Sequence, residues 1–238
     1  ACLVGSEMCI RDSSYVIIGD REVFFMDKNL LGMYDLKIER LKKSLERNNM
    51  SCEVFNTEEE LHDYFKTIFK DQKVVAVGGS MSLDEMHVLD LVRASDVKFL
   101  DRYAKGLTKE EINAIHHEAF NADIYLTSTN AMTTDGCLYN IDGNGNRVAA
   151  MIYGPKDVYV VAGVNKIFES EEEAIDHIKN VSAPANAIRL HRQTGCAVAG
   201  KCVNCMADQR ICASYVKLAR QGNMDRIHVI IMRQESGY

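Results

Sequence analysis

Apolar residues recur along this chain with two alternating periods. Leu61, Tyr64, Phe65, Ile68 and Phe69 fall at i, i+3, i+4, i+7 and i+8, and Ile112, Ile115, His116, Ala119 and Phe120 repeat the spacing. That is the stripe of a helix lying on a core. Two further helices are expected, over Asp35–Asn48 and Asp208–Arg220. A Ser or Thr followed three residues later by Glu marks four helix starts: Thr57/Glu60, Ser82/Glu85, Thr108/Glu111 and Ser170/Glu173. Between these segments lie short β-branched runs bounded by Gly, Asn or Asp. They are Cys52–Phe55, Val74–Val77, Val97–Leu100, Asp123–Thr127, Val158–Ala162 and Ile227–Met232. Several are apolar on consecutive residues, as parallel strands covered on both faces are. Leu138–Ile141 and Arg147–Tyr153 flank Asp142-Gly143-Asn144-Gly145-Asn146, which reads as the turn of an antiparallel hairpin. The alternation of strand and helix with one hairpin predicts an α/β fold, doubly wound around a mostly parallel sheet.

Composition narrows the function classes. The 238 residues carry a net charge of -6, which argues against a nucleic-acid or anionic-membrane surface. The longest apolar runs, such as Val158–Val164, are far too short to span a bilayer. No segment resembles a secretory signal, so a reducing, cytoplasmic setting is expected. Residues 1–13 read ACLVGSEMCIRDS, which has neither period and resembles the translation of a sequencing adaptor. They are set aside from the fold, and Cys2 and Cys9 with them.

Four of the remaining six cysteines, Cys196, Cys202, Cys205 and Cys212, fall within seventeen residues at a C-x5-C-x2-C-x6-C spacing. A C-x2-C pair sets two thiolates on one turn, and two more nearby can complete the ligand set of an iron–sulfur cluster or of zinc. A structural zinc site and free redox thiols are the alternatives to a cluster. No histidine, His87, His116, His117 and His228 included, stands at a metal-ligand spacing.

Three polar loops follow predicted strands. Gly78-Gly79-Ser80-Met81-Ser82 follows Val74–Val77 and lets backbone N–H groups approach an anion, though the same loop can be a plain turn capped by Ser82. Ser128 to Gly136 contains Thr129 and Asn130 as candidate ligand contacts and Asp135 as a candidate acid or base. Gly163-Val164-Asn165-Lys166 contributes Asn165 and a lysine to balance an anion. Loops at the carboxyl ends of parallel strands share one rim, so the three are expected to converge on an anionic small molecule.

The run from Thr129 to Arg147 resembles the signature of the LUD-domain (lactate-utilisation) family. Tyr153-Gly154-Pro155-Lys156, Gly163-Val164-Asn165-Lys166 and Arg226-Ile227-His228-Val229 strengthen the resemblance, which covers about residues 35–238. It implies a fold like that of coenzyme A transferases, ribose-5-phosphate isomerase and glucosamine-6-phosphate deaminase. Residues 35–192 would form the LUD-type domain, with residues 193–238 packed on it. It also implies a role near the oxidation of lactate or other 2-hydroxy acids, alongside iron–sulfur partner subunits. The chain lacks the ferredoxin-type C-x2-C-x2-C-x3-C-P motif of the cluster-bearing relatives, and its cysteine cluster suits a short, stand-alone branch. Two alternatives stand beside this reading. One is a transferase- or isomerase-like enzyme that binds phosphate or coenzyme A and holds a structural zinc; the other is a non-enzymatic assembly subunit.

Overall fold

The computed structural model describes residues 15–18, 21–24, 26–70 and 73–238. The adaptor-like segment, with Cys2 and Cys9, lies outside the described residues. The first described elements are an antiparallel pair, β1 (Tyr15–Ile18) and β2 (Arg21–Phe24). Helix α1 (Lys28–Arg47) leads into β3 (Ser51–Phe55), α2 (Glu58–Ile68) and β4 (Val74–Val77). Short helices α3 (Met81–Glu85) and α4 (Val88–Ala94) precede β5 (Lys98–Leu100), and α5 (Lys109–Glu118) precedes β6 (Ile124–Thr127). Then come β7 (Ala131–Thr133), β8 (Cys137–Asp142), α6 (Asn146–Tyr153), β9 (Asp157–Gly163) and β10 (Ile167–Phe168). Helices α7 (Glu171–His177), α8 (Ala183–Arg189) and α9 (Gly195–Ala199) lead to β11 (Ser214–Leu218) and β12 (Ile227–Met232).

Six of these strands form one parallel sheet in the order β3-β12-β9-β6-β4-β5. Its central strands are apolar throughout because helices cover both faces. Val158, Val160 and Ala162 of β9 pack with Leu41 and Leu45 of α1 and Met151 of α6. Tyr159 and Val161, on the other face, pack with Leu61 and Phe65 of α2 and Leu83 of α3. Alternate residues of a strand thus enter opposite cores, and each fully buried large side chain contributes roughly 1.5–3 kcal/mol. The fold is α/β and doubly wound, as the alternation predicted. No helix among the described residues is long and apolar enough to cross a membrane.

A second sheet, ordered β10-β7-β8-β11, carries the antiparallel pairing. The hairpin lies elsewhere than the sequence suggested. β7 and β8 turn at Thr134-Asp135-Gly136, where Gly136 has φ +84° and a Cβ would stand 2.7 Å from the α1 backbone at Ser44. Residues 147–153, expected as a strand, belong to α6. Asp142 Oδ1 accepts hydrogen bonds from the N–H groups of Asn144 and Gly145, which turns the chain straight into a helix. Val148 and Met151 then bury one helical face. The helix expected over Asp208–Arg220 is also absent. Its second half is β11, which pairs with the open edge of β8 and shows the period of a strand, with Tyr215 and Lys217 outward and Leu218 buried. Of the expected caps, Thr57, Thr108 and Ser170 accept from the N–H three residues on. At the fourth the cap is Ser80, not Ser82, and Ser82 is buried inside α3.

Candidate functional site

The carboxyl ends of β4, β6 and β9 meet at one edge of the parallel sheet. Gly78 closes β4, and a Cβ there would lie 2.9 Å from both Thr127 Oγ1 and Tyr125 Oη, so only glycine lets the strands approach this closely. After β9 the chain makes a single 3-10 turn, Val164–Lys166, that directs Lys166 inward. Lys166 is only 3% exposed, and its Nζ donates to Ser82 Oγ at 2.9 Å and Ser128 Oγ at 3.2 Å. Burial, reinforced by the charge of Arg147 and opposed by Glu85, holds its pKa down at about 7. The carboxyl-terminal segment seals this base from behind: Ser82 Oγ donates to the Ser236 carbonyl, and Asn165 binds Ser236 N and the Gly237 carbonyl.

Arg147, from α6, fastens the wall between the two sheets. It donates to the carbonyls of Ser128 and Ile141 and to the side-chain oxygens of Asn130 and Asn140, at 2.6–3.1 Å. Its Nε lies 3.6 Å from the Asp142 carboxylate, and both side chains are nearly buried. Asn130 also accepts from the Ile141 N–H, so one arginine and one asparagine tie the loop after β6 to β8.

Beyond these groups opens a cavity of about 370 Å3. Gly79, Ser80, Thr129, Asn130 and Lys166 all line it, so the three loops come together on one rim. Gly78 and Ser82 stand just behind the wall, Ser82 through its contact with Lys166. Asn165 braces the carboxyl-terminal segment instead of facing the cavity. Asp135 does not join them. It is exposed at the β7–β8 turn, where it accepts a hydrogen bond from Thr133 Oγ1 and its carbonyl accepts from Asn48. It lines neither this cavity nor the cysteine-lined one described below.

A second cavity, of about 360 Å3, is lined by Cys196, Cys202, Cys205 and Cys212. All four are free thiols; Cys196 is buried and the other three are half-buried. A Cβ at Gly195 would stand 2.4 Å from Val203 Cγ2 and 3.3 Å from Cys205 Cβ, so this turn too is packed to glycine tolerance. The N–H groups of Ala207 and Gly195, with the charge of Arg210, hold the Cys205 thiol below its usual range. Cys52, in the core, is pushed up to about 12 by burial. Among the described residues no group of three or more His, Cys, Asp or Glu side chains is arranged to hold a single metal ion. Ile141 and Arg210 line both cavities, and Arg210 also donates to the carbonyls of Cys205 and Cys212.

The LUD domain profile matches residues 38–232, which include every lining residue of both cavities except Tyr238. The chain belongs to the LUD-domain family. A solved DUF162 family protein from Deinococcus radiodurans is 13% identical, with a TM-score of 0.47 over 84% of this chain and 98% of the other. No curated protein matches. Sequence reasoning on this LUD-domain protein missed Arg147, Arg210 and the carboxyl-terminal brace. Only the position of Arg147 at the end of the family-like run offered a signal for any of them.

Lys166 gives the site of this LUD-domain protein a pH dependence whose sign is fixed. Its folded pKa of about 7 lies below the ordinary 10.5, so its contribution to stability is full above 10.5 and is lost as pH falls through 7. Anion binding runs the other way, because only the protonated amine attracts an anion. Affinity for a small carboxylate is expected to fall as pH rises from 6 to 8, and Lys166→Met should flatten the profile. Calorimetric titration at several pH values checks this; an unchanged slope in the variant contradicts it.

Proposed function

We propose that this LUD-domain protein acts in the oxidation of lactate or another 2-hydroxy acid. It would hold the anionic acid at the carboxyl ends of β4, β6 and β9 and an iron–sulfur cluster on Cys196, Cys202, Cys205 and Cys212. The observation that carries the reading is the adjacency of the two cavities across Ile141 and Arg210. Four thiols that bound one cavity are a ligand set that an iron–sulfur cluster takes. When bound, such a cluster supplies one-electron transfer, for which partner iron–sulfur subunits are the natural acceptors.

The chain's own residues divide the remaining work. Arg210 supplies positive charge between the cavities while its backbone contacts hold the cysteine loop in place. Ser128 and Ser82 fix the Lys166 amine at the buried end. With a pKa of about 7, that amine can take up or release a proton near neutral pH, the function once considered for Asp135.

The test is anaerobic purification of the full chain with metal and sulfide analysis. Brown protein with iron and acid-labile sulfide, bleached by dithionite, is the expected result. A colourless protein with stoichiometric zinc would return the case to a non-redox, transferase- or isomerase-like enzyme.

A further inference from the structure

The anion cavity is much more basic than the protein that contains it. Against a net charge of -6 for the whole chain, Arg102, Arg147, Lys166, Arg189, Arg192 and Arg210 face this one space. Asp142 and Asp208 carry its only lining side-chain carboxylates among the described residues, and Asp142 is taken by Arg147. None of Arg102, Arg189, Arg192 and Arg210 has a carboxylate within 4 Å among the described residues. Among the described residues the Arg189 guanidinium hydrogen-bonds only to Asn186, on its own helix; that of Arg210 donates to backbone carbonyls and the Met206 sulfur; Arg102 lies over the Tyr103 ring. Like charges gathered around one cavity repel, and a bound anion relieves that repulsion.

Two further observations point to a ligand. Arg210 Nε and Tyr238 Oη are buried without a hydrogen-bond partner, and both residues line the cavity. Buried donors are rarely left so, and a shift of either side chain toward the cavity would let a ligand oxygen satisfy it. The volume of about 370 Å3 also falls within the range of roughly 300–1,000 Å3 typical of ligands far larger than a three-carbon acid. The charges lie at different depths. Lys166 is 3% exposed, while Arg189 and Arg192 are exposed.

Building on the anion site proposed above, we infer that its ligand carries at least two separate anionic groups, as a di- or tricarboxylate or a phosphorylated hydroxy acid does. One group lies against Lys166 and Ser128, and the other reaches the arginines of α8 and of the segment that follows it. Lactate fills only the first position.

Calorimetric titration of the anaerobically prepared full chain separates the possibilities. The probes are lactate, malate, citrate and 3-phosphoglycerate. The polyanions are expected to bind at least about tenfold more tightly than lactate, with a steeper loss of affinity in salt. The double variant Arg189→Ala/Arg192→Ala, at exposed positions, should keep its thermal midpoint. It should weaken the polyanions by about tenfold and lactate by less than about twofold. Tightest binding of malate and citrate assigns a polycarboxylate; tightest binding of 3-phosphoglycerate assigns a phosphorylated acid. Lactate binding as tightly as the polyanions, or equal loss for every probe in the double variant, overturns the inference and leaves the anion site standing. Failure of every probe to bind overturns both.

Discussion

Replacing Arg147 by alanine is expected to cost about 3–5 kcal/mol of folding stability, a loss on the scale of breaking a buried ion pair. The guanidinium serves four acceptors, the carbonyls of Ser128 and Ile141 and the side chains of Asn130 and Asn140, and it partners Asp142. Its removal leaves the nearly buried Asp142 carboxylate without a counter-charge and several buried oxygens without a donor. The loop after β6 and the start of α6 should loosen together, because both hang on this one side chain. Arg147→Lys keeps the charge but cannot span the same acceptors, so an intermediate loss is expected. Urea denaturation of the three proteins measures the series. A loss under about 1 kcal/mol for the alanine variant would mean that Arg147 is peripheral.

Cys205→Ser is expected to abolish cluster binding altogether, with iron and acid-labile sulfide falling to background. The N–H groups of Ala207 and Gly195 favour the anion of the Cys205 thiol. Serine keeps the size but not the soft thiolate donor. A second effect follows from connectivity. Asp208, Gln209, Arg210 and Ile211, between Cys205 and Cys212, form part of the anion-cavity wall. A cluster that tethers both cysteines fixes this wall, so its loss should weaken anion binding by about tenfold. Cys52→Ser is the control. Cys52 is buried in the main core, so this variant should lose about 1–3 kcal/mol of stability yet keep its iron. Retention of iron by Cys205→Ser would remove that residue from the ligand set.

The parallel sheet was legible because its strands are buried on both faces, and consecutive apolar residues such as Val158 to Ala162 record that directly. The three rim loops were legible for the same reason, since polar and glycine residues stand out where such strands stop. The segment around Asp142 was misread because the same Asp-Gly-Asn-Gly string serves a hairpin or a helix entry. The choice falls to burial of Val148 and Met151, which local sequence does not contain. β11 was taken for a helix because its partner edge on β8 lies more than sixty residues away in the chain. The cysteine spacing marked four thiols, and they do line one cavity. That this cavity shares Arg210 with the anion cavity, and that arginines from four segments face the same space, are facts of tertiary folding that no local motif encodes.

The adjacency of the two cavities is tested most directly by titrating malate into the anaerobic, dithionite-reduced protein while recording its electron paramagnetic resonance spectrum. A cluster on the far side of Ile141 and Arg210 should report an anion bound against those residues. The expected result is a saturable change in the spectrum with the same midpoint as the calorimetric titration, shifted to higher malate in Lys166→Met. Saturation of the calorimetric signal with an unaltered spectrum, or reduced protein with no resonance at all, would contradict it.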